Sequence, residues 1–280
     1  MTAIYKSEAG AAAIQDRYRE VLRAWPVPAD ELHIPTREGD TFVLASGPAD
    51  APPLVLLHGS GSNSSTWRGD IASWATHFRV YAVDIVGEPG GSARSRPVLG
   101  TDGVSLWLDD VVDGLGLSSF ALTGMSLGGW MATDYATRRP ERVTRLALLC
   151  PGGIGKQKYG WLLKEILPRL LGRHDARRSA STVTGLTEPE FATVLDDVVL
   201  IFEHFNPRRE KLPRFTDAEL QRLTMPVLVM VGDQDVMMDS VDTARRIRAN
   251  IPAARVNLLP GMGHAVTGQT ETVLKFLLDS

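Results

Sequence analysis

The stretch LTGMSLGGW, residues 122 to 130, sets Ser126 between Gly124 and Gly128 where an apolar run gives way to helical spacing. A serine hydroxyl is a poor nucleophile until a base takes its proton, and that base needs a group to orient it. The G-x-S-x-G spacing suits a sharp strand-to-helix turn that exposes the serine. Small residues at Gly124 and Gly128 then let neighbouring backbone come close, and Gly129 extends the small surface. Such a short motif also arises by chance, so its meaning depends on partners elsewhere in the chain.

A base is sought among six histidines. His264, in LLPGMGHAV, follows the last strand-like run and precedes the last helical one. His58 stands in the loop after an earlier strand, His33 lies within a strand, His77 near a helix end, and His174 and His204 in a helical stretch. Of these His264, directly after the last strand, has the strand-end placement expected of the base. For the orienting carboxylate, VGDQD closes the preceding strand. Asp235, at the far end of that turn, is favoured, with Asp233 as the competitor better suited to pinning the turn through its own backbone. After the strand ending at Leu149, the residues Cys150, Pro151 and Gly152 offer no acid. Acyl transfer further needs donors aimed at a developing oxyanion. The N–H of Leu127, at a helix start, is one candidate. HGSGSNSSTW supplies the other, with Ser60 first and Gly61 next. That glycine-rich stretch lacks the GK[ST] of a phosphate cradle, and GEPGGS at 87 to 92 lacks dinucleotide spacing.

The elements that must carry these groups can be read from periodicity. Residues 6 to about 25 have an apolar stripe of Ile14, Tyr18, Val21, Leu22 and Trp25 and predict a packing helix. ELHIPT and TFVLASG around REGD predict a hairpin. PLVLLHG, RVYAVDIVG, FALTGMS, VTRLALLCP, PVLVMVGDQD and ARVNLLPG read as strands, several of them continuous apolar runs suited to a sheet buried on both faces. Helical spacing lies between them in STWRGDIASWATHF, SLWLDDVVDGLG, LGGWMATDYATRRP and DSVDTARRIRANIP, and again in TGQTETVLKFLLD. Such alternation predicts an α/β fold with a mostly parallel sheet flanked by helices. From Pro151 to about Leu223 it stops, and YGWLLKEILPRLLGRHDARR and EPEFATVLDDVVLIFEHF predict helices with no strand between. This predicts a core of 1–151 and 224–280 with a helical cap at 152–223, over the carboxyl ends of the strands where open α/β sheets bind ligands.

The 280 residues, 44% of them apolar with a net charge of −3, suit one large globular unit and argue against nucleic acid or a membrane surface as partner. Cys150 is the single cysteine, so neither an internal disulfide nor a thiolate metal cluster can form. No run of eighteen apolar residues appears. The expectation is a cytoplasmic protein with a small-molecule substrate and no metal or cofactor.

With Ser126, Asp235 and His264 in that order, the chain resembles the α/β-hydrolase superfamily over nearly its whole length. The resemblance implies the α/β-hydrolase fold with an inserted helical cap, backbone amides of Ser60 and Leu127 as an oxyanion hole, and structural roles for His58 and Asp84. GEPGGSA departs from the more usual Gly-x-Gly-x-Ser of the loop after Asp84. YREVLRAWPVP through PLVLLHGSGS looks like a bacterial carboxylesterase-like branch. The expected reaction is cleavage of a small apolar ester through an acyl-enzyme. Thioester, lactone, perhydrolase or carbon–carbon bond chemistry on the same three groups stands as the alternative, and a small-molecule receptor on this scaffold as a further one. Gly61, Trp67, Met125, Trp130, Tyr159, Trp161, Leu162, Phe202 and Phe205 are candidate pocket lining, although aromatic residues at helical spacing also serve a core.

Overall fold

The computed structural model describes residues 4–160, 175–187 and 189–279. Helix α1 (Glu8–Arg23) opens the chain, its Ser7 cap accepting the Gly10 N–H at 3.0 Å. The hairpin β1 (Ala29–Thr36) and β2 (Gly39–Ser46) follows, then β3 (Pro53–Leu57), α2 (Ile71–Trp74), β4 (Arg79–Val83), α3 (Gly103–Gly114), β5 (Phe120–Met125), α4 (Leu127–Arg138) and β6 (Val143–Leu149). Between β6 and the next strand stand α5 (Ala176–Thr184), α6 (Ala192–His204) and α7 (Asp217–Leu220). The chain closes with β7 (Val227–Gly232), α8 (Ser240–Asn250), β8 (Arg255–Leu259) and α9 (Thr270–Leu278).

Eight strands make one sheet in the order β1-β2-β4-β3-β5-β6-β7-β8. The β1–β2 and β2–β4 pairs are antiparallel and the five others parallel. The apolar runs at β3, β5 and β7 are buried almost throughout because helices cover both faces. One face packs on α3, α4 and α8 through Trp107, Tyr135 and Ile247, the other on α1, α2 and α9 through Tyr18, Trp74 and Phe276. This topology brings the carboxyl ends of β3, β5, β6, β7 and β8 to one edge, where the candidate chemistry sits.

STWRGDIASWATHF does not form one helix. It divides into a 3-10 turn, Ser64–Gly69, and the four-residue α2, with Gly69 and Asp70 at the break. The Asn63 side chain holds the turn by accepting the Ser65 N–H at 3.1 Å, glycine weakens a helix at the junction, and Trp67 and Trp74 both turn inward. Most of the helix expected in YGWLLKEILPRLLGRHDARR lies outside the described residues; α5 covers its far end. Helix α6 falls where EPEFATVLDDVVLIFEHF predicts one. It rests on α1 through Ile4, Tyr5, Ala11, Ile14, Ile201 and Phe205, with Arg17 Nε donating to Asp197 Oδ1 at 2.6 Å.

Candidate active site

Ser126 stands between β5 and α4 at φ 53 and ψ −108, a left-handed conformation that costs a non-glycine residue on the order of 1–3 kcal/mol. Neighbouring strand ends hold it there. Ser126 N–H donates to Leu149 O at 2.9 Å, Gly152 N–H to Ser126 O at 3.1 Å, and Gly128 N–H to His58 O at 3.0 Å. The flanking glycines are forced by this closeness: a Cβ on Gly128 would stand 2.2 Å from Leu57 O, and one on Gly124 2.4 Å from Gly128 O. A serine at a helix N-cap ordinarily turns its hydroxyl onto the helix amides. Here it makes no capping bond, and Oγ instead lies 2.8 Å from His264 Nε2.

On the other side of the ring, His264 Nδ1 lies 2.7 Å from Asp235 Oδ2. The second carboxylate oxygen accepts the N–H groups of Met237 at 2.7 Å and Met238 at 3.0 Å. Burial by itself would raise the Asp235 carboxyl; the bond and charge of His264 and the two amides outweigh it and hold the group below its ordinary value. An ionised Asp235 places the imidazole proton on Nδ1 and leaves Nε2 to accept from the serine. Asp233 turns elsewhere, accepting the Gly261 N–H at 2.8 Å and so pinning the approach to His264. The end of α5 supports the same loop: Ala265 N–H donates to Thr184 O at 2.7 Å, and Gly185 packs directly against Gly263.

Ser60 and Leu127 flank the serine. A Cβ on Gly59 would stand 3.5 Å from Ser126 Cβ, which sets the His58–Gly61 loop against the nucleophile. Neither the Ser60 nor the Leu127 N–H donates to a protein acceptor among the described residues. Beneath them, His58 donates from Nδ1 to Gly59 O at 2.8 Å and accepts the Ile85 N–H on Nε2 at 3.0 Å, and burial lowers its pKa. The ring is a neutral strut. Asp84 accepts from Ser64 N–H at 2.7 Å, Gly91 N–H at 2.6 Å and the Tyr18 hydroxyl of α1 at 2.9 Å. Tyr18, expected only to pack, is therefore also a donor to Asp84, and no sequence signal marks Glu88, buried behind Gly61.

The candidate pocket residues are dispersed. Gly61 and Met125 do adjoin Ser60 and Ser126, and Ile201 of α6 lies 3.7 Å from where a Gly61 Cβ would be. Trp67 is a core residue, tilted against Trp74 at 5.8 Å between ring centroids. Trp130 is buried too, stacked on Phe215 with its Nε1 donating to Pro213 O at 2.8 Å. Phe205 belongs to the cluster joining α1 and α6, while Tyr159 and Phe202 are exposed on the surface. In each case an aromatic ring that could line a pocket finds larger burial elsewhere or none. Trp161 and Leu162 lie outside the described residues. Among the described residues, no three His, Cys, Asp or Glu side chains converge as a metal would require, and no helix is long and apolar enough to cross a membrane.

An open α/β sheet with a strained serine at one strand end and a histidine and carboxylate at two others has the architecture of an α/β hydrolase. Residues 54–275 match the alpha/beta hydrolase family, and the chain belongs to it. It is 31% identical to the carboxylesterase YbfK of Bacillus subtilis over 272 residues, 93% of this chain and 92% of that one. The crystal structure of B. subtilis carboxylesterase CesB (YbfK) superposes with a TM-score of 0.84 at 29% identity, covering 96% of this chain and 99% of that one. Naproxen esterase (carboxylesterase NP) of the same organism gives 0.80 at 31% identity over 96% and 97%.

Proposed function

We propose that the protein is a carboxylesterase acting on a small, largely apolar ester, with Ser126 as nucleophile, His264 as general base and acid, and Asp235 as the group that orients it. The observation that carries this reading is the unbroken chain of contacts from Ser126 Oγ through His264 to Asp235, at 2.8 and 2.7 Å. His264 takes the hydroxyl proton on Nε2 as Oγ attacks the ester carbonyl, and Asp235 balances the imidazolium charge. The Ser60 and Leu127 N–H groups hold the oxyanion of the tetrahedral intermediate. His264 then passes the proton to the leaving alcohol, and water attacks the acyl-enzyme by the same steps in reverse. Helices α5 and α6, within the expected cap at 152–223, would stand over this edge. The ester class follows from the carboxylesterase relatives, and a cytoplasmic setting accords with the lone buried Cys150.

Covalent labelling with a fluorophosphonate tests the reading. Wild type should take one adduct at Ser126, located by mass spectrometry, and should hydrolyse aryl esters of short acids. Ser126→Ala should fold, lose the adduct and lose activity by several orders of magnitude. A folded wild type that neither labels nor turns over any ester would remove the proposal.

A further inference from the structure

Behind the loop that carries Ser60 lies Glu88, a carboxylate outside the three groups above. It is wholly buried, and Oε2 accepts the Gly61 N–H at 2.6 Å and the Ser60 hydroxyl at 3.3 Å. Its other oxygen faces Arg208 Nε at 3.7 Å across an ion pair too long for a hydrogen bond, and both atoms are buried without a hydrogen-bond partner among the described residues. Arg208 is itself buried, held by Nη1 to Pro97 O at 3.1 Å and to Glu210 at 2.6 Å. A buried pair in such geometry recovers little of its desolvation cost and adds little to stability.

The loop it supports, by contrast, needs an anchor. Ser60 sits between Gly59 and Gly61, the latter at φ +65, and a glycine on each side leaves the intervening peptides with wide freedom. Gly61 N–H is the next amide along from the Ser60 N–H, so the acceptor that fixes one peptide plane restricts the other. We propose that Glu88 is a positioning residue for ester hydrolysis: by accepting the Gly61 N–H, its carboxylate fixes the Ser60–Gly61 peptide and so aims the Ser60 N–H at the oxyanion. The proposal rests on the reading of Ser60 as an oxyanion donor. A negative charge behind an oxyanion hole opposes the charge developing there, and the cations of Arg208 and Arg96 offset it. What the reaction needs from Glu88 is therefore the acceptor and its position, not the charge.

That distinction sets the experiment. Glu88→Met keeps the chain length and removes the oxygen acceptor, Glu88→Ala is a second acceptor-free variant with no risk of overpacking, and Glu88→Gln keeps an acceptor without charge. Acceptor-free variants with native near-UV circular dichroism should lose roughly 10²-fold in kcat, the scale of one oxyanion donor, with KM within about threefold. Glu88→Gln should recover most of that loss. An aryl trifluoromethyl ketone, which adds Ser126 to form a tetrahedral oxyanion, should bind the acceptor-free variants more weakly by a similar factor, whereas the matching methyl ketone should not discriminate. Folded acceptor-free variants with wild-type kcat, or a Glu88→Gln as slow as they are, would overturn the role of Glu88. A wild type that binds the trifluoromethyl ketone no more tightly than the methyl ketone would instead remove the oxyanion reading beneath it.

Discussion

At the scale of single residues, Asp235 makes the sharpest claim on the site, because its two oxygens have separate tasks. Oδ1 is taken by Met237 and Met238 N–H, which leaves Oδ2 to face the imidazole. In Asp235→Asn the amide oxygen can still accept those N–H groups, so the loop should fold as before. The amide NH2 then faces His264 Nδ1 and forces the proton onto Nε2, where it blocks uptake from Ser126. Burst and steady-state kinetics should show kcat down by about three to four orders of magnitude with a small change in melting temperature. A variant within tenfold of wild type would contradict that role. Ser126, His264 and Asp235 could be singled out beforehand because each ends an apolar run, and a parallel sheet gathers such ends on one edge. Glu88 could not be: GEPGGS says nothing of which side of the loop its carboxyl takes, and Gly61, its partner, lies 27 positions away. Aromatic lining was illegible for another reason. Trp67 and Trp130 have the same chemistry in a core as in a pocket, and periodicity cannot say which surface an apolar stripe meets.

Among elements, the helices between β6 and β7 do more than stand over the sheet. The left-handed Gly185 that ends α5, at φ 77, brings its backbone against Gly263, and a Cβ there would stand 2.6 Å from Gly263 Cα. Thr184 O takes the Ala265 N–H, so the residues on both sides of His264 are fixed by one helix end. Gly185→Ala must therefore push the histidine loop outward as well as strain its own backbone, and a displacement of about 1 Å in a reacting group costs up to roughly 10²-fold in rate. Gly116 has a similar φ of 70 with nothing near its Cβ position, so Gly116→Ala separates backbone strain from displacement. Both variants should melt lower, but Gly185→Ala alone should lose at least tenfold in kcat. Equal rates in the two would mean that α5 does not position His264. The presence of α5 and α6 was legible from the interrupted alternation. Their contacts were not, since α6 rests on α1 through residues nearly two hundred positions apart, as Arg17 and Asp197 show.

For the molecule as a whole, Glu88 links the site to stability. Burial pushes its carboxyl up to about 7, against the pull of the Gly61 amide, Arg208, Arg96 and the Ser60 hydroxyl. At low pH the group is protonated in both folded and unfolded chains and has no effect. As pH rises past 4.5 the unfolded chain ionises while the folded chain keeps the proton, so stability falls until the folded group ionises near 7. The full loss is on the order of 3 kcal/mol. Another buried group acts in the same range with the opposite sign: His58, its pKa lowered by burial, destabilises the fold as pH drops below 6.5, whereas Asp235 does so only below 3.8. A melting curve of wild type alone sums these opposing effects. The difference between Glu88→Gln and wild type isolates one of them, because the neutral amide mimics the protonated acid at every pH. That difference in melting temperature should grow from pH 5 to pH 8 in favour of the variant by about 5 °C, in calorimetry at constant ionic strength. Parallel curves would mean that Glu88 ionises in its ordinary range and that its burial costs the fold nothing at neutral pH. A widening gap would mean that at neutral pH the protein gives up stability to hold a carboxylate behind the oxyanion loop.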